Sequence, residues 1–413
     1  MNTAKAEAGA PRQRSPLLPI FLIVMVDVLG LTIILPLLPF YAERMGASPT
    51  VVGLLVSTYA ACQLVAGPVL GQISDRVGRR PLLLVSQMGT FIGFLVLAYA
   101  QTLWVVFLAR VIDGLTAGNL SLAQAYISDV TRPEERAKSF GVIGVAFGIG
   151  FLIGPAISGF LSQFSYQYPI FAAASLSATS ILATYFLLPS APVIPESEQH
   201  EGPAPPAGRR LRVLDWGNYL TYFKRPVIAE LLWQFWAFTF AFAIFMSGFA
   251  LFAERRYTWS GHPYGPKEVG YVFAYVGFLG IILQGGLIGR LVRRFGEKRL
   301  VSAGFSSGTV GFALMGFTYH LPGLLATSTV ASFGTGVLRP ALTSLITQRA
   351  GREEQGVVLG LTQSLAAVAQ IIGPAIAGYL IDRELLKTWA IFGAAMTAIG
   401  YIVGRIKPHV QPE

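Results

Sequence analysis

Runs of about 20 mostly apolar residues recur along this chain from residue 17 to residue 404, and that is the length a helix needs to cross the hydrocarbon of a bilayer. Few folds are open to such a chain. Unpaired backbone groups are intolerable in lipid, so only helices and closed barrels span it. Barrel strands would show as alternating segments of about ten residues, and none is visible. Charged residues make up 13% of the 413 and apolar residues 53%, where soluble domains carry roughly a quarter charged. The sequence therefore predicts an all-α membrane protein with twelve transmembrane helices. They are expected at 17–42, 50–73, 81–100, 104–129, 139–162 and 168–188, then 227–252, 268–289, 300–319, 323–348, 355–381 and 388–404.

The net charge of +10 would fit a nucleic-acid binder, but its placement follows topology. One alternating set of loops and tails holds 23 Lys and Arg, the opposite set holds 6, and Arg110 and Arg339 within helices complete the 31. Basic loops stay on the cytoplasmic side, so both termini are expected in the cytoplasm of a multi-pass protein of the cell (inner) membrane. No nucleic-acid partner is expected. The single cysteine, Cys62, excludes an intrachain disulfide. The first apolar run is too long for a signal peptide, contains Asp27, and lacks a small-residue cleavage site.

Two halves are visible. Pro192, Pro195, Pro203, Pro205 and Pro206 interrupt any helix between residues 189 and 226. Residues 1–188 are expected as an N-terminal six-helix bundle with its tail, 189–226 as a cytoplasmic linker, and 227–413 as a C-terminal six-helix bundle with its tail. Residues 211–223 mix Arg with Trp216, Tyr219, Tyr222 and Phe223; they fit either a segment on the headgroup layer or a solvated linker. Glu134, Glu135 and Gly141 recur as Glu353, Glu354 and Gly360. In the same register, Gly154-Pro155-Ala-Ile-Ser-Gly159 recurs as Gly373-Pro374-Ala-Ile-Ala-Gly378. Parallel repeats of this kind place a binding site near the midplane, between two bundles that rock against each other.

The loop between helices 2 and 3 reads Gly71-Gln-Ile-Ser-Asp75-Arg76-Val-Gly78-Arg79-Arg80-Pro81. It resembles the signature loop of the major facilitator superfamily. Generic positive-inside charge explains its arginines but not Gly, Asp and Gly at these spacings. The resemblance implies that Asp75 faces the dipole at the start of helix 11 and that Arg79 reaches Asp129, holding the cytoplasmic side closed. The second copy has Arg293 in place of Asp75, so its latch is degenerate. Helix 5 carries Gly150-xxx-Gly154-Pro155-xxx-Gly159, which resembles the signature of the drug:proton antiporters; ordinary Gly-Pro helix packing is the alternative. Nearly the whole chain resembles the tetracycline-efflux branch of that twelve-helix family. The runs that carry this are Asp27-Val-Leu-Gly30 with Pro36-Leu-Leu-Pro39, Leu251-Phe-Ala-Glu254-Arg-Arg-Tyr-Thr-Trp259, Gly289-Arg with Phe295-Gly-Glu-Lys298, and Gln355-Gly356 with Gly360-Leu361. By that resemblance Asp27, Arg110, Gln63 and Gln284 line the cavity. The branch's acidic residues within helices 3 and 9 are here Gly93 and Gly308.

An ionisable side chain at mid-membrane costs at least about 2.5–3.5 kcal/mol and marks a functional position by default. Asp27 lies ~15 Å along helix 1 at 1.5 Å per residue. A carboxyl balanced there between desolvation and a neighbouring cation can load a proton on one side and release it on the other. A neutral packing carboxyl or a fixed ion pair is the alternative. Arg110 and Asp113 are three apart on helix 4, either as a fixed pair or with Arg110 moving between Asp113 and Asp27. Arg339 in helix 10 faces an anionic substrate, Asp27, or the headgroups by snorkelling. Helix 7 is dense in aromatics, among them Trp236, which either line a cavity or pack. Tyr59, Gln63, Asn119, Gln234, Trp236, Gln284, Arg339 and Gln363 are the expected substrate-cavity residues. Gly71, Asp75, Arg76, Gly78, Arg79, Arg80, Asp129, Gly150, Gly154, Pro155 and Gly159 are the expected gating residues.

All four histidines fall in expected loops or tails, and the chain shows no Cys/His ligand cluster and no phosphate-binding Lys-Ser/Thr loop. No enzyme activity, metal or cofactor is expected. The expected function is a proton-coupled antiporter exporting amphipathic small molecules by alternating access, as a functional monomer whose partners are a small-molecule substrate, protons and the bilayer. A proton symporter or uniporter for an organic solute is the runner-up, and a non-transporting receptor the remaining alternative.

Overall fold

A computed structural model describes residues 17–130, 136–189, 221–350 and 354–406. Helices 1–3 span Leu17–Glu43, Pro49–Val77 and Arg79–Ala98. Helix 4 is two pieces, Leu103–Leu115 and Asn119–Val130. Helices 5 and 6 span Arg136–Leu161 and Gln167–Leu187, and helix 7 spans Pro226–Arg256. A two-strand hairpin, β1 Thr258–Trp259 and β2 His262–Pro263, leads into helix 8. Helix 8 runs as Pro266–Ile282, a π-helical turn Leu283–Leu287, and Ile288–Phe295. Helices 9–12 span Glu297–Met315, Leu321–Arg349, Gln355–Asp382 and Leu386–Val403. Ten of these helices are long and apolar enough to cross a membrane, and the stretch Val145–Leu161 of helix 5 is a shorter apolar helix. Helix 9 carries Glu297, Lys298 and Arg299 in its first turn and a Gly- and Ser-rich body.

Pro49, Pro226 and Pro266 open their helices at the one turn where a missing N–H costs nothing. Within the first half, helix 1 packs on helices 5 and 6, helix 3 on helix 6, and helices 2 and 3 on helix 4. The second half repeats the plan with helix 7 on helices 11 and 12 and helix 9 on helices 10 and 12. The halves meet through helix 2 with helix 11, helix 5 with helix 8, and helix 1 with helix 7. The second half is cored by rings: Trp389 stacks on Phe252 at 4.6 Å, and Phe245 contacts Phe249, Phe273 and Phe312.

Two helices differ from the sequence expectation. Helix 4 breaks at residues 116–118, where Ser86 of helix 3 acts as a splint. Its hydroxyl donates to the Thr116 carbonyl and accepts from the Gly118 N–H at 2.9 Å, so backbone groups freed by the break stay satisfied away from water. Helix 8 is longer than 268–289 and is widened by one extra residue in the turn at its Gly285-Gly286 pair, the π-bulge geometry common at functional sites. Residues 211–220 of the expected headgroup segment, with Glu134, Glu135 and Glu353 of the repeat, lie outside the described residues; Tyr222 is buried against helix 7.

The bundles touch at one face and part at the other. On the face away from the chain ends, Gly53 abuts the Pro374 carbonyl and Gly378, and Gly270 abuts the Pro155 carbonyl and Gly159. The other face carries the 2–3 and 8–9 loops. Toward it, the positions of Gly67, Gly71, Gly285, Gly286, Gly289 and Gly360 have nothing within 4 Å of an added Cβ, and Val69, Ile73 and Val77 of helix 2 are exposed. The opening between the halves faces that side.

Candidate functional site

A cavity of about 130 Å³ lies in the first-half wall of the opening, lined among others by Asp27, Tyr59, Gln63, Arg110, Asp113 and Asn119. Helix 4 supplies three of these because of its break: Arg110 and Asp113 end the first piece, and Asn119 begins the second. Close approach fixes their setting. A Cβ on Gly93 of helix 3 would lie 3.1 Å from Asp113 Cβ, and one on Gly114 of helix 4 would lie 2.8 Å from the Tyr59 carbonyl.

Arg110 Nη1 and Asp113 Oδ2 are 3.4 Å apart and both side chains are buried. The structure thus holds the intrahelical pair, and Asp113 also meets Thr90. Arg110 keeps Nε and Nη2 buried without partners. Among the described residues Asp27 makes no ion pair and its buried Oδ1 has no hydrogen-bond partner, with Ser180 and Asn119 as the polar side chains beside it. Gln63 Nε2 donates weakly to Tyr59 Oη at 3.4 Å. Oppositely charged groups buried with unmet hydrogen-bonding capacity are costly; the wall is held short of satisfaction.

The second-half wall differs. Arg339, Gln284 and Gln363 are exposed in the middle of helices 10, 8 and 11. Two other expected cavity residues lie on helix 7. Gln234 is buried and donates to the Gly400 carbonyl at 3.1 Å, tying helix 7 to helix 12. Trp236 sits between Trp233 and Phe240, whose ring meets Phe392 of helix 12. Trp236 stays half-buried and packs on rings of its own helix, of which Trp233 is exposed.

At the open face Arg79 pairs with Asp75 at 2.6 Å and with Asp129 at 2.9 Å. Arg80 donates to the Tyr185 carbonyl, and Arg76 is exposed. Gly78 turns the chain at φ 102°, which an L-residue rarely adopts. Glu354 at the start of helix 11 takes both Arg225 nitrogens, at 2.7 and 2.9 Å. Thus Arg79 reaches Asp129 as the family resemblance implies, and the loop's triad lies within one half. At the closed face Arg255 joins helix 7 to Glu43 of helix 1 at 2.6 Å, and Thr50 donates to Asp382.

Helix 5 is held on two sides. Gly150 and Gly154 press on Val28 and Thr32 of helix 1, and Thr32 Oγ1 donates to the Gly150 carbonyl at 2.9 Å. On its other side Phe151, Pro155 and Gly159 meet Gly277, Gly270 and Lys267 of helix 8. A shift of helix 5 is therefore felt by the helix that carries Asp27 and by the opposite bundle. Sequence reasoning missed Ser86, Ser180 and Thr90, for which isolated hydroxyls give no signal. It also missed Gly53 and Gly270, although each lies four residues after a helix-opening proline.

Comparison with known proteins gives one family. The profile described as Major Facilitator Superfamily matches residues 20–374 and 285–411. A tetracycline resistance protein, class C, of Escherichia coli is 30% identical over 387 residues, covering 90% of this chain and 92% of that protein. Multidrug resistance protein 2 of Bacillus subtilis (strain 168) is 25% identical over 380 residues, covering 90% of each. Among solved structures, a bacterial homologue of the human lysosomal transporter Spinster, in an inward-facing and unoccupied conformation, superposes with a TM-score of 0.74 at 16% identity, covering 98% of this chain and all of that one.

Proposed function

The chain belongs to the Major Facilitator Superfamily, a family of membrane transporters and not of enzymes, and from that premise we propose that it is a proton-coupled antiporter exporting amphipathic small molecules by alternating access. Relatives named for tetracycline and multidrug resistance support export. The observation that carries the coupling is Asp27: a mid-helix carboxyl with no cation partner among the described residues, beside a mostly apolar cavity that also holds Arg110, Asp113 and Asn119, in a protein open on one face and closed on the other.

The charge balance gives the mechanism. Arg110 and Asp113 cancel, so Asp27 alone sets the net charge of its wall. Ionised, it is a buried anion that the closed, desolvated state disfavours; protonated or neutralised by a substrate cation, it tolerates closure. Proton and substrate thus compete for one carboxyl, and each licenses passage of the bundles between their two arrangements. Helix 1 carries this to helix 5, and helix 5 to helix 8. Arg79 with Asp75 and Asp129 at one face, and Arg255 with Glu43 at the other, serve as the gates. The excess of Lys and Arg on the open side makes that side, with both termini, the cytoplasm. The protein works as a monomer, since each gate closes within one chain.

One entering proton supplies about 1.4 kcal/mol per pH unit and about 2.3 kcal/mol per 100 mV. For a substrate of no net charge the two together sustain a gradient of a few hundredfold, since about 1.4 kcal/mol is tenfold; for a monovalent cation the potential cancels and about tenfold per pH unit remains. The test is proton release from weakly buffered purified protein on adding a fluorescent amphipathic substrate. Release that disappears in Asp27→Asn, with substrate binding weakened as for a permanently protonated Asp27, is the expected result. Unaltered release in that variant removes Asp27 as the carrier.

A further inference from the structure

Arg339 makes no hydrogen bond and no ion pair among the described residues, although it stands ten residues inside helix 10, ~15 Å from the helix end at the open face. Its direction follows from its neighbours. Helix 9 covers one side of helix 10, where Gly304 meets Val337 and Leu338, and Gly311 meets Ala331. Helix 8 flanks it through Leu283 against Gly336, and helices 7 and 11 flank it through the cluster containing Ile346 and Val358. Position 339 lies on the side left uncovered, turned away from the peripheral helix 9 and into the opening between the halves. Gln284 and Gln363 are exposed on the two flanking helices at similar depth.

Asp27 lies at that depth on the other wall, ten residues into helix 1. Among the described residues the opening therefore holds one carboxyl without an ion pair on the first half and one unpaired guanidinium on the second, while the charges of Arg110 and Asp113 cancel. Resting on the antiporter reading, we infer that the substrate is a zwitterionic amphiphile, its cationic group taking the place of the proton at Asp27 and its anionic group seated at Arg339 between Gln284 and Gln363. A purely cationic substrate leaves Arg339 uncompensated and is repelled by it. A purely anionic one gains affinity when Asp27 is protonated, so it binds together with the proton and defeats exchange. Only a molecule carrying both charges competes with the proton and satisfies both walls. Such a ligand also spans the halves, which couples occupancy to their approach. A Cβ at Gly93 or Gly308 would meet Asp113 at 3.1 Å or Thr397 at 3.3 Å, so a larger side chain at either position requires that neighbour to shift.

Nα-dansyl-lysine, its methyl ester and its Nε-acetyl derivative share one fluorophore and differ in charge: zwitterion, cation and anion. Binding is measured by dansyl fluorescence on purified protein in dodecyl maltoside and again in lipid nanodiscs. The zwitterion is expected to bind at least tenfold tighter than either derivative. Arg339→Gln should weaken the zwitterion and relieve the repulsion of the ester, so that the two bind alike, and Arg339→Lys should restore part of the preference for the zwitterion. Equal affinities for all three, or no binding of any, overturn the inference. So does an Arg339→Gln protein that loses ester and zwitterion alike, or a preference seen in detergent that vanishes in nanodiscs, which would give Arg339 to lipid phosphate. Proton release separates this from the antiporter reading. Release driven as well by the ester as by the zwitterion keeps the antiporter and sinks the zwitterion, whereas tight zwitterion binding without release sinks the antiporter alone.

Discussion

The two halves share a backbone plan and differ in the chemistry of their walls. The plan is clearest at the closed face. Pro155 and Gly159 of helix 5 bear on Gly270 of helix 8, and their repeat counterparts Pro374 and Gly378 of helix 11 bear on Gly53 of helix 2. Helices 4 and 10 show the difference. Helix 4 is broken, polar and internally paired; helix 10 is continuous and carries a lone Arg339. Contacts between backbones leave no room to vary, whereas a wall facing an opening can change its charge without disturbing the packing behind it. The crossings have stayed alike for that reason, and the walls have diverged.

The sharpest way to break this comparison is to remove one arginine from each wall. Arg110→Ala leaves Asp113 buried without its cation, and breaking a buried pair in this way costs about 3–5 kcal/mol. Arg339→Ala removes a group with no partner, and such a change is expected to fall within about 0.5 kcal/mol. Thermal unfolding in one detergent should show a large drop for the first variant and almost none for the second. Equal drops would mean that Arg339 has a structural partner and that the two walls are not opposites.

The crossings supply the next effect. A side chain at Gly53 or Gly270 strikes a carbonyl oxygen only while the closed face is closed. Overpacking costs about 1–3 kcal/mol, so Gly53→Val or Gly270→Val should shift the population toward opening of that face by roughly five- to a hundredfold. Spin labels near Glu43 and Arg255, in a Cys62→Ser background, should report the longer distance. If only one valine acts, the two crossings are alike in shape but not in energy.

Much of this plan was legible in the sequence because its signals are long or repeated. Apolar runs of fixed length gave the helices, the Gly-Pro repeat gave the two halves, and Asp27, Arg110 and Arg339 stood out as charges where lipid forbids them. What stayed hidden depends on one side chain meeting another. Nothing local marks Ser86 as the splint of helix 4, since a single serine in an apolar helix reads the same whether it bonds its own backbone or a neighbour's. Gln234 and Trp236 looked like cavity residues by type and depth. Gln234 instead ties helix 7 to helix 12, because the direction of a side chain around helix 7 depends on where helix 12 lies, and no period in helix 7 encodes that. The Arg255–Glu43 contact joins residues more than 200 positions apart and has no pattern at all.

Ser86 sharpens the contrast between helices 4 and 10 with a smaller effect. Ser86→Ala removes one partner from the Gly118 N–H and one from the Thr116 carbonyl, which keep their bond to each other at 2.7 Å, so the expected cost is that of a net hydrogen bond, about 0.5–1.5 kcal/mol. Its melting temperature should fall, and hydrogen exchange at residues 116–118 should quicken while helix 10 is unaffected. Unchanged exchange at the break would mean that water already serves those groups and that the break needs no splint.

The smallest effect is expected at the open-face loops, where the first half has Asp75 and the second has Arg293. Asp75, Arg79 and Asp129 are all partly exposed, with side-chain accessibilities of 34%, 22% and 43%, so each pair contributes about 0.2–1 kcal/mol. Asp75→Asn should therefore change the balance between the two bundle arrangements by no more than about fivefold, and the change should shrink as salt screens the charges. Arg293→Asp places a carboxylate at the matching position of the second loop, four residues before Glu297 rather than before an arginine. It should gain nothing, because the cation that completes the first-half triad is missing. A stabilising effect of that substitution, read from the same label distances at low and high salt, would show that the second loop kept its latch by other residues and that the halves differ less than their sequences do.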